Sequence, residues 1–158
     1  METRQAIAER WLTRMLRTYP DQSARFFKES RDPFGNPVGH TYKEAAGILV
    51  DELLGSMDVA RVTAALGRII EIRAVQDLGP GAALKFLFEL KEILGDEPGP
   101  DLDVYLRRID DMALIGFETY VQCRERVCEA RVNEARRSVY VLQRAMTSRE
   151  RSVETRRT

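Results

Sequence analysis

The sequence predicts an all-α fold: a compact helical bundle followed by a long C-terminal helix. Three observations predict it. Apolar residues recur at three- and four-residue steps almost throughout, as on amphipathic helices, and no stretch alternates as a half-buried strand would. Prolines and glycines are gathered into short breaker stretches, among them "DPFGNPVGH", "DLGPG" and "GDEPGPD". Beyond Asp101 the chain has no proline and one glycine, Gly116, so the pattern onward from Leu102 reads as one long helix, or as two with a bend at Gly116. The 158 residues suffice for one domain with a sizeable core. A single domain over 1–148 is expected, its long helix at about 102–148, with the polar 149–158 as a disordered tail.

The elements follow in order. Ile7, Trp11, Leu12, Met15 and Leu16 make one stripe, and "TYPD" stops that helix at Pro20. A short second helix has Ala24, Phe26 and Phe27 as its expected core. After "DPFGNPVGH", Thr41 and Glu44 stand three apart as a capping box, which places the next helix start there. Tyr42, Ala45, Ala46, Leu49, Val50, Leu53 and Leu54 form its apolar face. "GSMD" separates it from a helix facing inward with Val59, Val62, Leu66, Ile69 and Ile70. Pro80 suits a first helical position, where its missing N–H would go unpaired anyway. Ala83, Phe86, Leu87, Leu90, Ile93 and Leu94 line the helix it opens. In the last helix Val104, Leu106, Ile109, Met112, Ala113, Leu114, Ile115, Phe117 and Tyr120 give a stripe broad enough for the core. From Cys128 it narrows to Cys128, Val132, Ala135, Val139, Leu142 and Met146, a two-position heptad seam suited to pairing with another helix.

Formal net charge is zero, although ten Arg and five Glu from Arg124 onward leave that end at +5 and the rest at −5. Glu interleaves with Arg there and aromatic–basic clustering is missing. That pattern suits a solvated helix face, so no nucleic-acid partner is expected; no apolar run approaches the ~18–20 residues a membrane span needs, so direct membrane insertion is not expected either. The first residues are charged and amphipathic, without the apolar core of a signal peptide. Cytoplasmic localisation with reduced Cys123 and Cys128 is expected.

Chemistry has little to stand on. There is no phosphate-cradling glycine loop, HExxH or CxxC, and His40 is the only histidine. It lies among turn residues, which speaks against haem ligation. Cys123 and Cys128 are roughly 140° apart around a helix, so they cannot share one metal. Asp110, Asp111 and Glu118 read as a solvated face. No catalytic, cofactor-binding or metal-ligating residue is expected, and the chain is read as non-enzymatic. Two polar stretches remain as candidate sites: Asp32, Phe34, Asn36, Pro37 and Gly39 in the first breaker, and Arg73, Gln76 and Asp77 at the end of the fourth helix. Phe34 and Val38 are expected to plug apolar surface.

Together these stretches carry a resemblance. "DxFxNPVG", followed about thirty-five residues later by "IRAVQD" and Pro80, with Trp11, Tyr19-Pro20 and Phe27 upstream, resembles the N-terminal domain of the RsbRD-type RsbT co-antagonist proteins from about Trp11 to Asp96. The resemblance implies a dimerising, non-haem, globin-like input domain of bacterial stress signalling, with no cofactor. In that family a long helix leads to a STAS domain that engages the switch kinase. Nothing after the helix here reads as a STAS domain, so that engagement does not carry over. The expected function is a sensory or regulatory module, homodimeric, acting through protein contacts of its long helix. The rival is a small helical adaptor subunit of a membrane redox or signalling complex. A closed cavity among Phe34, Tyr42, Ile72 and Phe86 would favour sensing. The two motifs are expected side by side, with Asp32 or Asn36 near Arg73; the sequence names neither stimulus nor ligand.

Overall fold

The computed structural model describes residues 3–30, 32, 34–76, 78–96 and 98–154, with side chains as far as Arg149. It is all-α, with no strand among the described residues. Contacts divide the chain into two units, Met1–Cys123 and Arg124–Thr158.

The first unit contains α1 (Arg4–Met15), a 3₁₀ turn (Leu16–Thr18), α2 (Asp21–Glu29), α3 (Pro37–Leu54), α4 (Val59–Val75), α5 (Pro80–Gly95) and the beginning of α6 (Leu102–Glu154). α3 packs on α1 and α4, and α5 packs on the same two helices. The predicted stripes of α1, α3 and α5 are buried, apart from half-buried Leu54. Each Leu or Ile so buried contributes about 1.5–3 kcal/mol. Trp11 sets the distance between α1 and α5. Its indole stacks on Phe86 at 5.7 Å and donates Nε1–H to the Phe86 carbonyl at 2.6 Å.

Several expectations are corrected. α3 starts at Pro37, four residues before Thr41, because the Asn36 side chain caps it and Pro37 occupies its first position. His40 is therefore helical and exposed, 3.7 Å from Glu44. Glu44 bonds Arg68 at 2.8 Å instead of closing a capping box, and that bond holds its carboxyl below the usual range. Phe26 is half exposed, while Ala24 and Phe27 pack against the core. Val59 is exposed because it is the first residue after the Asp58 cap, a turn before α4 meets its neighbours.

α6 is one helix through Gly116. Its buried face in the first unit is narrower than the sequence suggests: Ile109, Met112, Gly116, Tyr120 and Cys123 face inward, while Val104, Leu114 and Phe117 are exposed. A Cβ on Gly116 would stand 3.1 Å from Leu84 Cδ2 and 3.4 Å from Ile70 and Leu87 methyls, so the glycine lets α6 approach α4 and α5 closely. Arg108 donates to the Leu53 and Gly55 carbonyls at 2.6 and 2.9 Å, satisfying groups that the end of α3 leaves open. Tyr120 donates to the Leu78 carbonyl at 2.6 Å.

The second unit is the rest of α6. Cys128, Val132, Ala135, Val139, Leu142 and Met146 are all exposed there. The helix runs to Glu154, beyond the start expected for the tail, and 155–158 lie outside the described residues. No helix among the described residues is long and apolar enough to cross a membrane.

Candidate functional site

The first candidate stretch is a corner organised by one amide. Asp32 Oδ1 accepts the Phe34 N–H at 3.0 Å, and the Asp32 carbonyl accepts the Asn36 N–H at 2.9 Å, forming the turn. Asn36 is buried. Its Nδ2 donates to the Phe26, Phe27 and Ser30 carbonyls at 3.2, 3.0 and 3.2 Å, and its Oδ1 accepts the Gly39 N–H at 2.9 Å. One side chain thus closes the C-terminus of α2 and opens α3. Gly39 is obligatory here: a Cβ would overlap the Phe27 carbonyl and the Asn36 amide. Phe34, expected as an apolar plug, is 96% exposed. The turn needs only its backbone, and the sequence pattern does not distinguish the two roles.

The second stretch ends α4 with a buried cation. Arg73 is 1% exposed. Its Nε donates to Tyr42 Oη at 3.1 Å, Nη2 to the Met15 carbonyl at 3.1 Å, and Nη1 to the Ala82 and Ala83 carbonyls at 3.3 and 3.4 Å. The guanidinium carbon lies 4.9 Å from the Phe86 ring centre and 5.6 Å from that of Tyr42. No carboxylate among the described residues pairs with it. Backbone dipoles and two aromatic faces replace the hydration lost on burial. Asp77, the third residue of this candidate stretch, lies outside the described residues.

Arg73 begins a relay of hydroxyls. Tyr19 Oη donates to Gln76 Oε1 at 3.0 Å and lies 3.0 Å from Tyr42 Oη. With the Tyr19 proton committed to Gln76, Tyr42 donates to Tyr19 and accepts from Arg73. Each bond in such a chain polarises the next. Burial pushes the Tyr42 phenol well above its ordinary range; the Arg73 charge opposes the shift without cancelling it.

The two stretches are joined indirectly. Asn36 holds Phe27, whose ring meets Tyr19 edge-on at 5.1 Å, and Tyr19 meets Tyr42 at 6.2 Å. Asn36 and Arg73 do not bond each other. Tyr42 and Phe86 flank Arg73, Ile72 is half-buried and Phe34 is exposed, so the four aromatic and aliphatic positions do not line one cavity. The sequence flagged Arg73 and Gln76 but took Tyr42 only for its ring. The available signal was a tyrosine on a wholly apolar face, where its hydroxyl requires a partner.

One buried acid went unflagged by the sequence pattern. Glu52 pairs with Arg61 at 2.8 Å and accepts from Ser56 Oγ and the Asp58 N–H at 3.1 and 2.9 Å, bracing the α3–α4 turn. No group of three or more His, Cys, Asp or Glu among the described residues is placed to hold a metal ion.

An all-α bundle built round a buried arginine, with a long terminal helix, is the class of protein this geometry defines. The chain matches the family described as the RsbT co-antagonist protein rsbRD N-terminal domain over residues 5–137, and it belongs to that family. It is also similar to an uncharacterized protein of Archaeoglobus fulgidus, 25% identical over 156 residues that cover 95% of this chain and 96% of that protein. No solved structure matches it.

Proposed function

We propose that the chain is a non-enzymatic input module of stress-type signal transduction, acting in the cytoplasm as a homodimer through protein contacts of its long helix. Family membership carries the reading. The exposed heptad seam of the second unit supports the dimer, because Val132, Val139, Leu142 and Met146 would otherwise hold apolar surface in water. The globin-like, haem-free arrangement implied by the family resemblance belongs to the same reading.

Mass measurement in solution tests it. Two copies of the 18.1 kDa chain should associate at tens of micromolar. Val139→Asp with Leu142→Asp should return the protein to a monomer while the bundle keeps its helical signal. A wild-type monomer, or a dimer indifferent to the two aspartates, would remove the seam from the proposal.

A further inference from the structure

α1 and α5 are antiparallel neighbours joined by rungs of opposite charge. Arg10 pairs with Asp96 at 2.7 Å, and Arg14, four residues on, pairs with Glu92, four residues back, at 2.6 Å. The same register continues to Arg17 and Glu89, yet that rung is not made. Glu89 stands 3.9 Å from Lys85 on its own helix, and the Arg17 side chain bonds no described residue. A cleft of about 340 Å³ opens at this place, lined by Arg14, Arg17, Thr18, Arg73, Lys85 and Glu89, with the buried Phe86 as an apolar wall.

Four cations face one carboxylate in this cleft. Arg14 and Lys85 are already paired, with Glu92 and Glu89, but among the described residues Arg73 has no carboxylate partner and the Arg17 side chain has no bonding partner. A concave site with this excess attracts anions and concentrates them locally. Arg forks and a hydroxyl match the oxygens of a phosphoryl group, and its two charges answer the excess better than one. At about 30 Å³ per water-sized volume, the cleft has room for roughly ten non-hydrogen atoms. We propose that the cleft binds the phosphoryl group of a small phosphate monoester, with Arg17 and Lys85 as its main ligands, Thr18 as a further donor and Phe86 against the organic part. This goes beyond the signalling reading and stands or falls independently of it.

The only tryptophan is a built-in reporter, because Trp11 stacks on Phe86 at 5.7 Å. Inorganic phosphate and glycerol 3-phosphate should be titrated at constant ionic strength, following Trp11 emission and the unfolding temperature. Expected are a saturable emission change and a raised unfolding temperature, with half-saturation on the order of a millimolar. Arg17→Gln with Lys85→Gln should weaken both responses about tenfold or more while leaving the ligand-free unfolding temperature nearly unchanged. Arg107→Gln, on α6, should leave both as in wild type. Four results would overturn the proposal: no saturable response by either measure, an equal response to chloride, an equal response to succinate, or undiminished binding by the Arg17→Gln, Lys85→Gln protein.

Discussion

At the scale of single residues, Arg73 and Asn36 each do what no neighbour could do in their place. Arg73 joins α4 to the end of α1, the first turn of α5 and Tyr42 on α3. Replacing it with Met keeps the bulk but leaves buried acceptors open, and should cost about 2–5 kcal/mol in denaturant unfolding. Tyr42→Phe strands the Arg73 Nε–H and should cost about 1–3 kcal/mol by the same measure. The phenol also fixes a pH dependence. Its folded pKa lies above the unfolded value of about 10, so the contribution is complete below that pH and is lost as pH rises beyond it. Ultraviolet titration of the folded chain should show one tyrosinate appearing only on alkaline unfolding, and Tyr42→Phe should remove that step. Gly39→Ala should cost about 1–3 kcal/mol, because the obstacles are a backbone carbonyl and an amide already committed elsewhere. Little of this was legible beforehand. A cation whose partners lie 31 and 58 positions away leaves no periodic trace. The sequence marks such a residue as polar and near a helix end, and goes no further.

At the scale of helices, legibility was much better, because burial on one face imposes a period that can be counted. The stripes of α1, α3 and α5 were recovered almost whole. The misreadings cluster at ends and edges. The start of α3 was displaced because two cap signals compete: Asn36-Pro37 and Thr41–Glu44 each satisfy a local rule, and the long-range bonds of Asn36 to the end of α2 decide between them. The buried face of α6 was overread because Leu114 and Phe117 are apolar but turned to solvent. Gly116 offers a test at this scale. Gly116→Ala meets only mobile methyl groups and gains helix propensity, so its stability should stay within about 1 kcal/mol of wild type. Gly116→Leu must push α6 off Leu84, Ile70 and Leu87, and should cost about 1–3 kcal/mol or more.

At the scale of the whole molecule, the buried cluster ends at Cys123, where the first unit ends. A chain of residues 1–123 should therefore keep a cooperative thermal transition, measured by circular dichroism, while losing most of the self-association proposed for the seam. The positive excess from Arg124 onward falls within the second unit, leaving the bundle acidic; weakly salt-dependent association would agree with apolar pairing, and a steep dependence would not. The corner at Asn36 also bears on how long a folded copy lasts. Asparagine commonly ages when the next backbone nitrogen attacks its side-chain amide and closes a cyclic imide. Here the next residue is Pro37, whose nitrogen carries no hydrogen to give up. The amide that gathers three carbonyls thus stands where the usual chemical clock of proteins cannot start.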